Sequence, residues 1–373
     1  MINLKITYVL ELLKPTKRKQ NILFNNISEV VENRRDIATR LKDGETKLTS
    51  AHFKGSNLPS IVINQNIREV KALYNNFKKS NPQKENIEFK PNQPICYNNQ
   101  NYKIDGHIIS IPLFYNGKCQ RFALPIKQTD RLEKLIKHME NGCKLGKASL
   151  FYKNNLWYFA VTVDLEDKKR KYPNVMGIDI GLRQLAVASI MNLEGEEINR
   201  QFYNGNEAGF KRKKYRSLRR KLGMAKKLKK IKSINNKEQR WIRDLNHKIS
   251  RQLVNLAVQE NVGIIVMENL KNIRETARSF NRADRNINSW AFYDLQQFIE
   301  YKANLAGIEV IYINPKYTSQ KCSKCGKVEK SNRIGNLYSC ACGNHIHADL
   351  NGSRNIAKNY IENICLDGNG LSA

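Results

Sequence analysis

The chain has 373 residues, enough for one to three domains, and its 65 Lys and Arg residues against 34 acidic residues give a net charge of +31. An excess of this size predicts a polyanionic partner, for which nucleic acid and an anionic membrane surface are the candidates. No run of about 18 apolar residues could span a bilayer, and the apolar stretch at residues 6–13 lacks the layout of a signal peptide, so we expect a cytoplasmic, nucleoid-associated prokaryotic protein whose partner is nucleic acid and not a membrane.

We predict that residues 1–165 form a β-rich module that carries a helical insertion. Apolar residues at helical spacing predict a helix over residues 60–77. From about Lys90 the apolar period changes to two. The predicted strands are residues 107–114, 122–126, 148–152 and 156–163, and Asn154-Asn155 suits a hairpin turn between the last two. The polar segment 166–174, which contains Pro173, is predicted to be a linker.

From Val175 onward, the order of the predicted elements is typical of an RNase H-like fold. Three strands come first, then a long basic helical region, a strand, a helix, a strand and a last helix. These segments are residues 175–180, 185–191, 197–202, 209–260, 263–267, 290–306, 307–314 and 349–363. We therefore predict an α/β fold, with an RNase H-like core over residues 175–320 and 346–365, a cysteine-rich insertion at 321–345 and a tail at 366–373.

Three carboxylates stand at the ends of elements that such a sheet brings to one edge. Asp179 ends the first strand of the core, Glu268 ends the fourth, and Asp349 begins the last helix. Taken singly, they could be a turn cap, a surface residue and a helix N-cap. Together they offer the hard oxygen ligands that two divalent cations, Mg²⁺ or Mn²⁺, need to hydrolyse a phosphodiester. We predict all three as catalytic residues and metal ligands.

Four of the eight cysteines form two short pairs, Cys322 with Cys325 and Cys340 with Cys342. Four thiolates at this spacing suit one structural Zn²⁺ in tetrahedral coordination, so we predict a zinc ribbon. The second pair is one residue shorter than usual. His345 or His347 could therefore replace one thiolate, and a redox or disulfide role is the alternative.

The segment from Lys211 to Lys237 contains no acidic residue. Such a run is often a solvated face or disordered, but the apolar stripe Ile242, Leu245, Ile249, Leu253 and Leu256 predicts that the following helix packs on the core. For Tyr203, Tyr215, Trp241 and Phe280, packing is a better interpretation than base stacking, and the Arg-rich loop 269–288 is a candidate lid. The predicted phosphate-binding residues are Lys211, Arg212, Lys213, Lys214, Arg216, Arg219, Arg220, Lys221, Lys226 and Lys227.

Several segments of the second half resemble known motifs. Residues 177–181 (GIDIG) resemble the first RuvC motif, 266–270 (VMENL) the second, and 347–351 (HADLN) with 354–357 (RNIA) the third. Residues 244–250 (DLNHKIS) and 318–326 (TSQKCSKCG) are also characteristic. Together they are similar to the TnpB family, which is carried by insertion sequences and is related to the compact type V CRISPR nucleases.

The resemblance implies an RNA-guided endonuclease with a RuvC core. Such a protein binds a guide RNA transcribed from its own element and recognises a short motif beside its target through a wedge-like N-terminal β-barrel and helical module. It then cuts both strands of double-stranded DNA at one site, where Asp179, Glu268 and Asp349 match the catalytic positions. Gly352-Ser353 replaces a small apolar pair, a departure that we expect to matter little. The alternatives are a guided repressor that does not cut, a guide-free structure-specific nuclease and a transposase.

Overall fold

The computed structural model describes residues 4–80, 87–165, 172–270 and 292–366. The chain divides into two compact units, Met1–Glu166 and Asp167–Ala373. Within the described ranges, no helix combines the length and apolar character needed to cross a membrane. Most of the predicted linker, residues 166–171, lies outside the described residues, as do the tail from residue 367 and residues 271–291, which hold most of the candidate lid, Phe280 and Trp290.

The first unit contains two antiparallel sheets. Its strands are β1 (Leu4–Glu11), β2 (Ile95–Tyr97), β3 (Lys103–Asp105), β4 (Ile108–Tyr115), β5 (Lys118–Pro125), β6 (Lys144–Lys153) and β7 (Leu156–Leu165). They are ordered β1-β7-β6-β2 and β3-β4-β5, and an antiparallel bridge between Leu12 and Ile126 joins the two sheets. The predicted hairpin turn is confirmed: Asn154 and Asn155 have φ values of 50° and 63°, the left-handed backbone that a two-residue turn needs.

Three helices complete the core of this unit: α1 (Lys17–Lys42), α2 (Ser60–Ser80) and α3 (Asp130–Glu140). The helix predicted from Ser60 is therefore confirmed as α2. The buried Arg34 of α1 donates to Asn66 Oδ1 at 3.0 Å and to Glu69 Oε2 at 2.8 Å, both on α2. These bonds satisfy a buried guanidinium and fix the helical insertion between β1 and β2.

The second unit is built on one five-stranded sheet. Its strands are β8 (Asn174–Asp179), β9 (Gln184–Met191), β10 (Glu197–Asn204), β11 (Val262–Glu268) and β12 (Glu309–Ile313). The spatial order is β10-β9-β8-β11-β12. The first three strands are antiparallel, whereas β8, β11 and β12 run parallel. This is the RNase H-like arrangement that the sequence predicted, with Asn174 already in the first strand.

Four helices of the described ranges flank this sheet: α4 (Asn206–Met224), α5 (Leu228–Gln259), α6 (Phe292–Leu305) and α7 (Ala348–Leu366). One face of the sheet packs with α5 and α6 in a core that includes Ile178, Leu253 and Leu295. The other face packs with α7 through Val175, Ile356 and Ala357. The predicted basic helical region consists of the two helices α4 and α5, because the chain breaks at residues 225–227, where Lys226 has a φ of 51°.

Gly177 decides how closely α7 approaches the sheet. A Cβ atom at this position would lie 2.6 Å from the backbone N of Ala357 and would also clash with the backbone O of Ser353. Real side chains do not tolerate such contacts, so only glycine allows α7 to cross β8 here. The start of α7 is thereby brought over the strand that ends at Asp179.

Candidate active site and metal centre

The three predicted carboxylates meet at one edge of the second sheet. Ile178 pairs with Met267 between the parallel strands β8 and β11, so Asp179 and Glu268 occupy the next positions at the carboxyl ends of adjacent strands. Asp349 lies in the first turn of α7, which packs on the same two strands. This is the crevice outside the strand ends where α/β sheets place their ligands.

The surroundings of the site make it costly for the acids Asp179 and Glu268 to ionise. Burial raises the pKa of Asp179 well above its usual range, and the carboxylates of Glu268 and Asp349 raise it further against the opposing effect of Arg333. Burial also raises the pKa of Glu268, although the Thr318 hydroxyl and Arg333 act in the other direction. A raised pKa means that ionisation of these acids is costly in the protein alone. A bound divalent cation would remove that cost, so the residues fit such an ion.

Two partners of these carboxylates have no role in the sequence-based prediction. Arg333 Nη2 lies 2.9 Å from Asp349 Oδ1, and the Thr318 hydroxyl donates to Glu268. Gln296 Nε2 also donates to the backbone O of Glu268 at 2.7 Å. Thr318 belongs to the characteristic segment 318–326, whereas Arg333 lies in none of the recognised motifs. The position of Arg333 depends on the fold of the cysteine-rich insertion.

The four predicted cysteines converge. Among the residues that the structure describes, theirs is the one group of potential metal ligands whose ligand atoms all lie within 4.8 Å of one another; the three carboxylates are less tightly gathered. All four thiols are free, and the Sγ atoms of Cys322 and Cys342 are 3.7 Å apart, as are those of Cys325 and Cys340. These separations exceed the length of a disulfide and suit a shared metal ion.

The shortened second knuckle still presents both of its thiols. Each knuckle ends in a glycine with positive φ, Gly326 at 78° and Gly343 at 81°, and Gly343 N donates to Cys340 O at 3.0 Å. Burial alone would raise the pKa of Cys322, but the N–H groups of Cys325 and Lys324 and the Asn344 amide lower it to about 6. The thiolate, which is the metal-binding form, is therefore favoured at Cys322, whereas burial and the hydrogen bonds with neighbouring thiols raise the pKa of Cys342 to about 12.

The two histidines considered as substitute ligands have other partners. His345 Nδ1 lies 2.8 Å from Ser339 Oγ, and His347 Nδ1 accepts a hydrogen bond from the backbone N of Asp349 at 3.2 Å. The group that converges therefore consists of cysteines alone.

The cysteine centre and the carboxylate site are joined through α7. Asn351 Oδ1 accepts from Ser323 N at 2.9 Å, and its Nδ2 donates to Lys321 O at 2.8 Å. Asn355 Nδ2 donates to Lys321 O and to Thr318 O at 2.6 and 2.8 Å. These bonds tie the first knuckle to the helix that carries Asp349.

The predicted phosphate-binding residues divide into two groups. Three of them are partly buried and have partners within the fold. Arg219 Nη1 pairs with Glu238 at 2.7 Å, the Lys211 ammonium lies 5.6 Å from the Trp241 ring, and burial lowers the pKa of Arg212 to about 10. The other seven are exposed: Lys213, Lys214, Arg216, Arg220, Lys221, Lys226 and Lys227. Trp241 and Tyr203 pack against the core, as predicted.

Comparison with known families supports this arrangement. A family model described as "Probable transposase" matches residues 158–274, and one described as "Cas12f1-like, TNB domain" matches residues 292–356. In fold, the chain is similar to the Cas12f1 of a cryo-EM complex with guide RNA and target DNA, at a TM-score of 0.68 and 17% identity over 95% of this chain and 99% of that one.

Individual relatives match somewhat more than half of the chain. The chain is 38% identical to a Cas12f1 endodeoxyribonuclease of Sulfoacidibacillus thermotolerans, over 57% of this chain and 52% of the relative. It is 28% identical to InsQ of Escherichia coli, described as a putative RNA-guided DNA endonuclease, over 54% of this chain and 53% of the relative. The chain spans about half the length of the Cas12f1 relatives from Sulfoacidibacillus and Syntrophomonas.

A TnpB-like protein of Methanocaldococcus jannaschii is matched over most of its length. It is 31% identical to this chain over 53% of the chain and 72% of the relative. Asp179 and Glu268 lie within the first segment that a family model matches, and Asp349 and the four cysteines lie within the second. The chain belongs to the TnpB-like family.

Proposed function

We propose that this protein is an RNA-guided endonuclease that cuts double-stranded DNA at the site formed by Asp179, Glu268 and Asp349. The observation that carries the proposal is that Asp179, Glu268 and Asp349 converge at the carboxyl edge of an RNase H-like sheet, where burial raises the pKa of Asp179 and of Glu268. A structural carboxylate would be neutralised by the protein, whereas a metal ligand must retain charge for its ion. A protein that only bound DNA would have no use for this costly arrangement.

Asp179, Glu268 and Asp349 would hold Mg²⁺ or Mn²⁺, two ions per site. When bound, such ions activate water for attack on the phosphodiester and stabilise the leaving 3′ oxygen. Two other residues of the chain position and neutralise these ligands: Thr318 fixes the orientation of Glu268, and Arg333 balances the charge of Asp349. The four cysteines would hold one structural Zn²⁺, which stiffens the segment that carries Thr318 and Arg333.

The guide and the target are proposed on two grounds. The exposed basic surface of α4 can bind phosphates without reading sequence, so the recognition of a sequence needs a second component. Relatives are described as RNA-guided endonucleases, and the matched fold comes from a complex of protein, guide RNA and target DNA. We propose a guide RNA from the protein's own element, double-stranded DNA as target and the prokaryotic nucleoid as the place of action.

The test is to purify the protein expressed with its native flanking DNA and to sequence the RNA that copurifies. We expect one discrete RNA from the 3′ end of the element, and cleavage of DNA that carries the matching target beside a short fixed motif. Folded protein that contains zinc but no defined RNA, and that cuts branched DNA without a guide, would instead identify a guide-free structure-specific nuclease.

A further inference from the structure

A polar cluster lies under α7, beside the point where this helix crosses the sheet. Ser189 of β9 pairs directly with Gly177 of β8. Residues opposite each other in a sheet project from the same face, and Gly177 lies against the backbone of α7, so Ser189 also points toward α7. The Ser189 side chain is fully buried, and its hydroxyl donates to Glu197 Oε1 of β10 at 2.8 Å. A hydroxyl and a carboxylate therefore stand beneath this helix.

Arg354 of α7 completes this cluster. Its Nε donates to Glu197 Oε1 at 3.0 Å and its Nη2 donates to Glu197 Oε2 at 2.6 Å, so one guanidinium binds both oxygens of one carboxylate. The two side chains are only 20% and 16% exposed. Burial raises the pKa of Glu197, but hydrogen bonds from Arg354 and Ser189, together with nearby positive charges, lower it overall. Glu197 is therefore a charged acceptor with donors from both α7 and β9.

Much of the remaining contact between α7 and the sheet is apolar, as in the packing of Ile356 and Ala357 on Val175. Apolar contacts have no direction, so they hold a helix on a sheet without fixing its rotation about its own axis. A bidentate pair of arginine and carboxylate does have direction, because its two parallel hydrogen bonds require one geometry. The pair of Arg354 with Glu197 therefore fixes the rotation of α7 on the sheet.

The rotation of α7 bears on the metal ligands because Asp349 lies in the first turn of this helix. Asp349 and Arg354 are about 7.5 Å apart along the helix axis. Asn351 and Asn355 hold the same part of α7 to the first cysteine knuckle, and Glu197 holds it to the sheet. A rotation that this pair prevents would move the Asp349 carboxylate, and metal sites depend on the groups that orient their ligands.

We propose that Glu197 is a positioning residue for the cleavage reaction: through Arg354 it fixes the rotation of α7 and so places the carboxylate of Asp349. Ser189 supports this role by orienting Glu197. The inference rests on the proposed function, because Asp349 is a metal ligand only under that proposal. It also gives a role to Arg354, the first residue of the segment 354–357 that resembles part of the third RuvC motif.

The test compares Glu197→Gln with Ile361→Val. Glutamine keeps the shape of the side chain, but its amide presents one acceptor oxygen and not two, so the bidentate geometry is lost. Ile361 is buried in the apolar contact of the same helix with the sheet, so Ile361→Val controls for a loss of stability that leaves the pair intact. Each full-length protein is loaded with guide RNA. The single-turnover rate of target cleavage is measured over a series of Mg²⁺ concentrations, beside the melting temperature.

We expect Glu197→Gln to need about tenfold more Mg²⁺ than wild type for half of its maximal rate, the loss usual for a group that orients a metal ligand. Ile361→Val should lower the melting temperature and keep the wild-type Mg²⁺ requirement. An unchanged Mg²⁺ requirement in Glu197→Gln would overturn the inference. An equal increase in Ile361→Val would also overturn it, because the effect would then be one of stability alone.

Arg354→Lys separates the geometry of the pair from its charge. Lysine keeps the positive charge but cannot bond both carboxylate oxygens with a fixed fork of donors, so this variant should also raise the Mg²⁺ requirement. The double variant Glu197→Gln/Arg354→Lys should be no worse than the more impaired single variant, since both changes remove one interaction. A wild-type Mg²⁺ requirement in Arg354→Lys, or additive effects in the double variant, would count against the proposal.

Ser189→Ala decides the matter if Glu197→Gln does not fold. This variant keeps the ion pair and removes only the hydroxyl that orients Glu197. We expect a smaller increase in the Mg²⁺ requirement than about tenfold, with the pair of Glu197 and Arg354 retained. The wild-type requirement in Ser189→Ala would then overturn the inference.

Failure of the proposed function gives a different pattern. If the guided wild-type protein cuts no DNA, the endonuclease proposal is wrong. The role of Glu197 is then judged from Mn²⁺ binding alone, measured on the full-length proteins by electron paramagnetic resonance. Weaker Mn²⁺ binding by Glu197→Gln but not by Ile361→Val would support the positioning role, and equal binding by all three proteins would overturn it.

Discussion

Gly352 lies directly against the carboxylate of Asp179: a Cβ atom on residue 352 would stand 2.8 Å from Asp179 Oδ2. The two residues come from α7 and β8. Their close approach depends on Gly177, because a side chain at that position would clash with the backbone of α7. The expectation that Gly352-Ser353 matters little stays a prediction, because the atom that a side chain at residue 352 would meet is the end of the Asp179 side chain and not the backbone.

Gly352→Ala should leave the protein folded and lower cleavage by about tenfold at most. The added methyl group meets only the end of the Asp179 side chain, and a shift smaller than about 1 Å costs less than about a hundredfold in rate. The third RuvC motif usually carries a small apolar residue here, and alanine restores one. The measurement is the single-turnover cleavage rate beside the thermal melting curve. Gly209→Ala is the matched control, since a Cβ at this helical glycine of α4 meets nothing within 4 Å; it should raise stability by about 0.5–1 kcal/mol and leave cleavage unchanged. A loss of about a hundredfold or more in Gly352→Ala would contradict this expectation and show that the Asp179 carboxylate cannot move.

Asp179→Ala should abolish cleavage and leave binding of nucleic acid almost intact. Because Asp179 is ionised only at a cost in the metal-free protein, its removal should leave the melting temperature unchanged or raise it when divalent cations are absent. Cleavage, gel-shift binding and melting with and without Mg²⁺ test all three points. Glu194→Ala removes an exposed acid in the turn between β9 and β10 and serves as the control. A variant at Asp179 that cuts at near the wild-type rate would remove this residue from the site.

Arg333→Gln should make the protein more dependent on divalent cations. The Arg333 guanidinium pairs with Asp349 and lowers the pKa of both Asp179 and Glu268, so without it the carboxylates repel one another more strongly. We expect a lower melting temperature in chelator and a larger rise on addition of Mg²⁺ than in wild type. Lys330→Gln removes an exposed charge nearby and should show the wild-type rise. Equal Mg²⁺ effects in all three proteins would mean that Arg333 does not balance the site.

The second unit was predictable because its sheet is buried on both faces, which gives β8, β9 and β11 continuous apolar runs. Two of these runs, β8 and β11, end in carboxylates. The first unit was less so. Helix α1 has Asn26, Asn33 and Arg34 on its buried face. These polar residues interrupt the apolar periodicity from which a helix is predicted. Arg333 could not be assigned at all, because its contact with Asp349 follows from the register of a two-residue strand. At the break between α4 and α5, Lys226 and not a glycine adopts the left-handed backbone, and Gly223 lies inside the last turn of α4.

Cys340→Ser should release the bound metal and disorder the carboxylate site through α7. Asn351 and Asn355 tie the first cysteine knuckle to the helix that carries Asp349, so the loss of one buried ligand should lower both zinc content and cleavage. Elemental analysis, melting curves and cleavage rates measure these effects. Cys119→Ser, an exposed free thiol of the first unit, controls for general loss of a cysteine and should retain zinc. Full zinc content with Cys340→Ser would mean that three cysteines suffice.

The exposed residues of α4 should set the salt dependence of DNA binding. Lys213, Lys214 and Arg220 are exposed, whereas Arg219 on the same helix pairs with Glu238 at 2.7 Å. Each phosphate contact that is lost should reduce the slope of log affinity against log salt by about 0.9. The triple variant Lys213→Ala/Lys214→Ala/Arg220→Ala should therefore bind duplex DNA with a slope smaller by about 2 to 3, measured by fluorescence anisotropy over a series of salt concentrations. Arg219→Gln should leave the slope nearly unchanged, because its charge is already engaged within the fold. Equal slopes in the triple variant and wild type would show that α4 does not contact phosphates and that another part of the +31 chain binds the DNA.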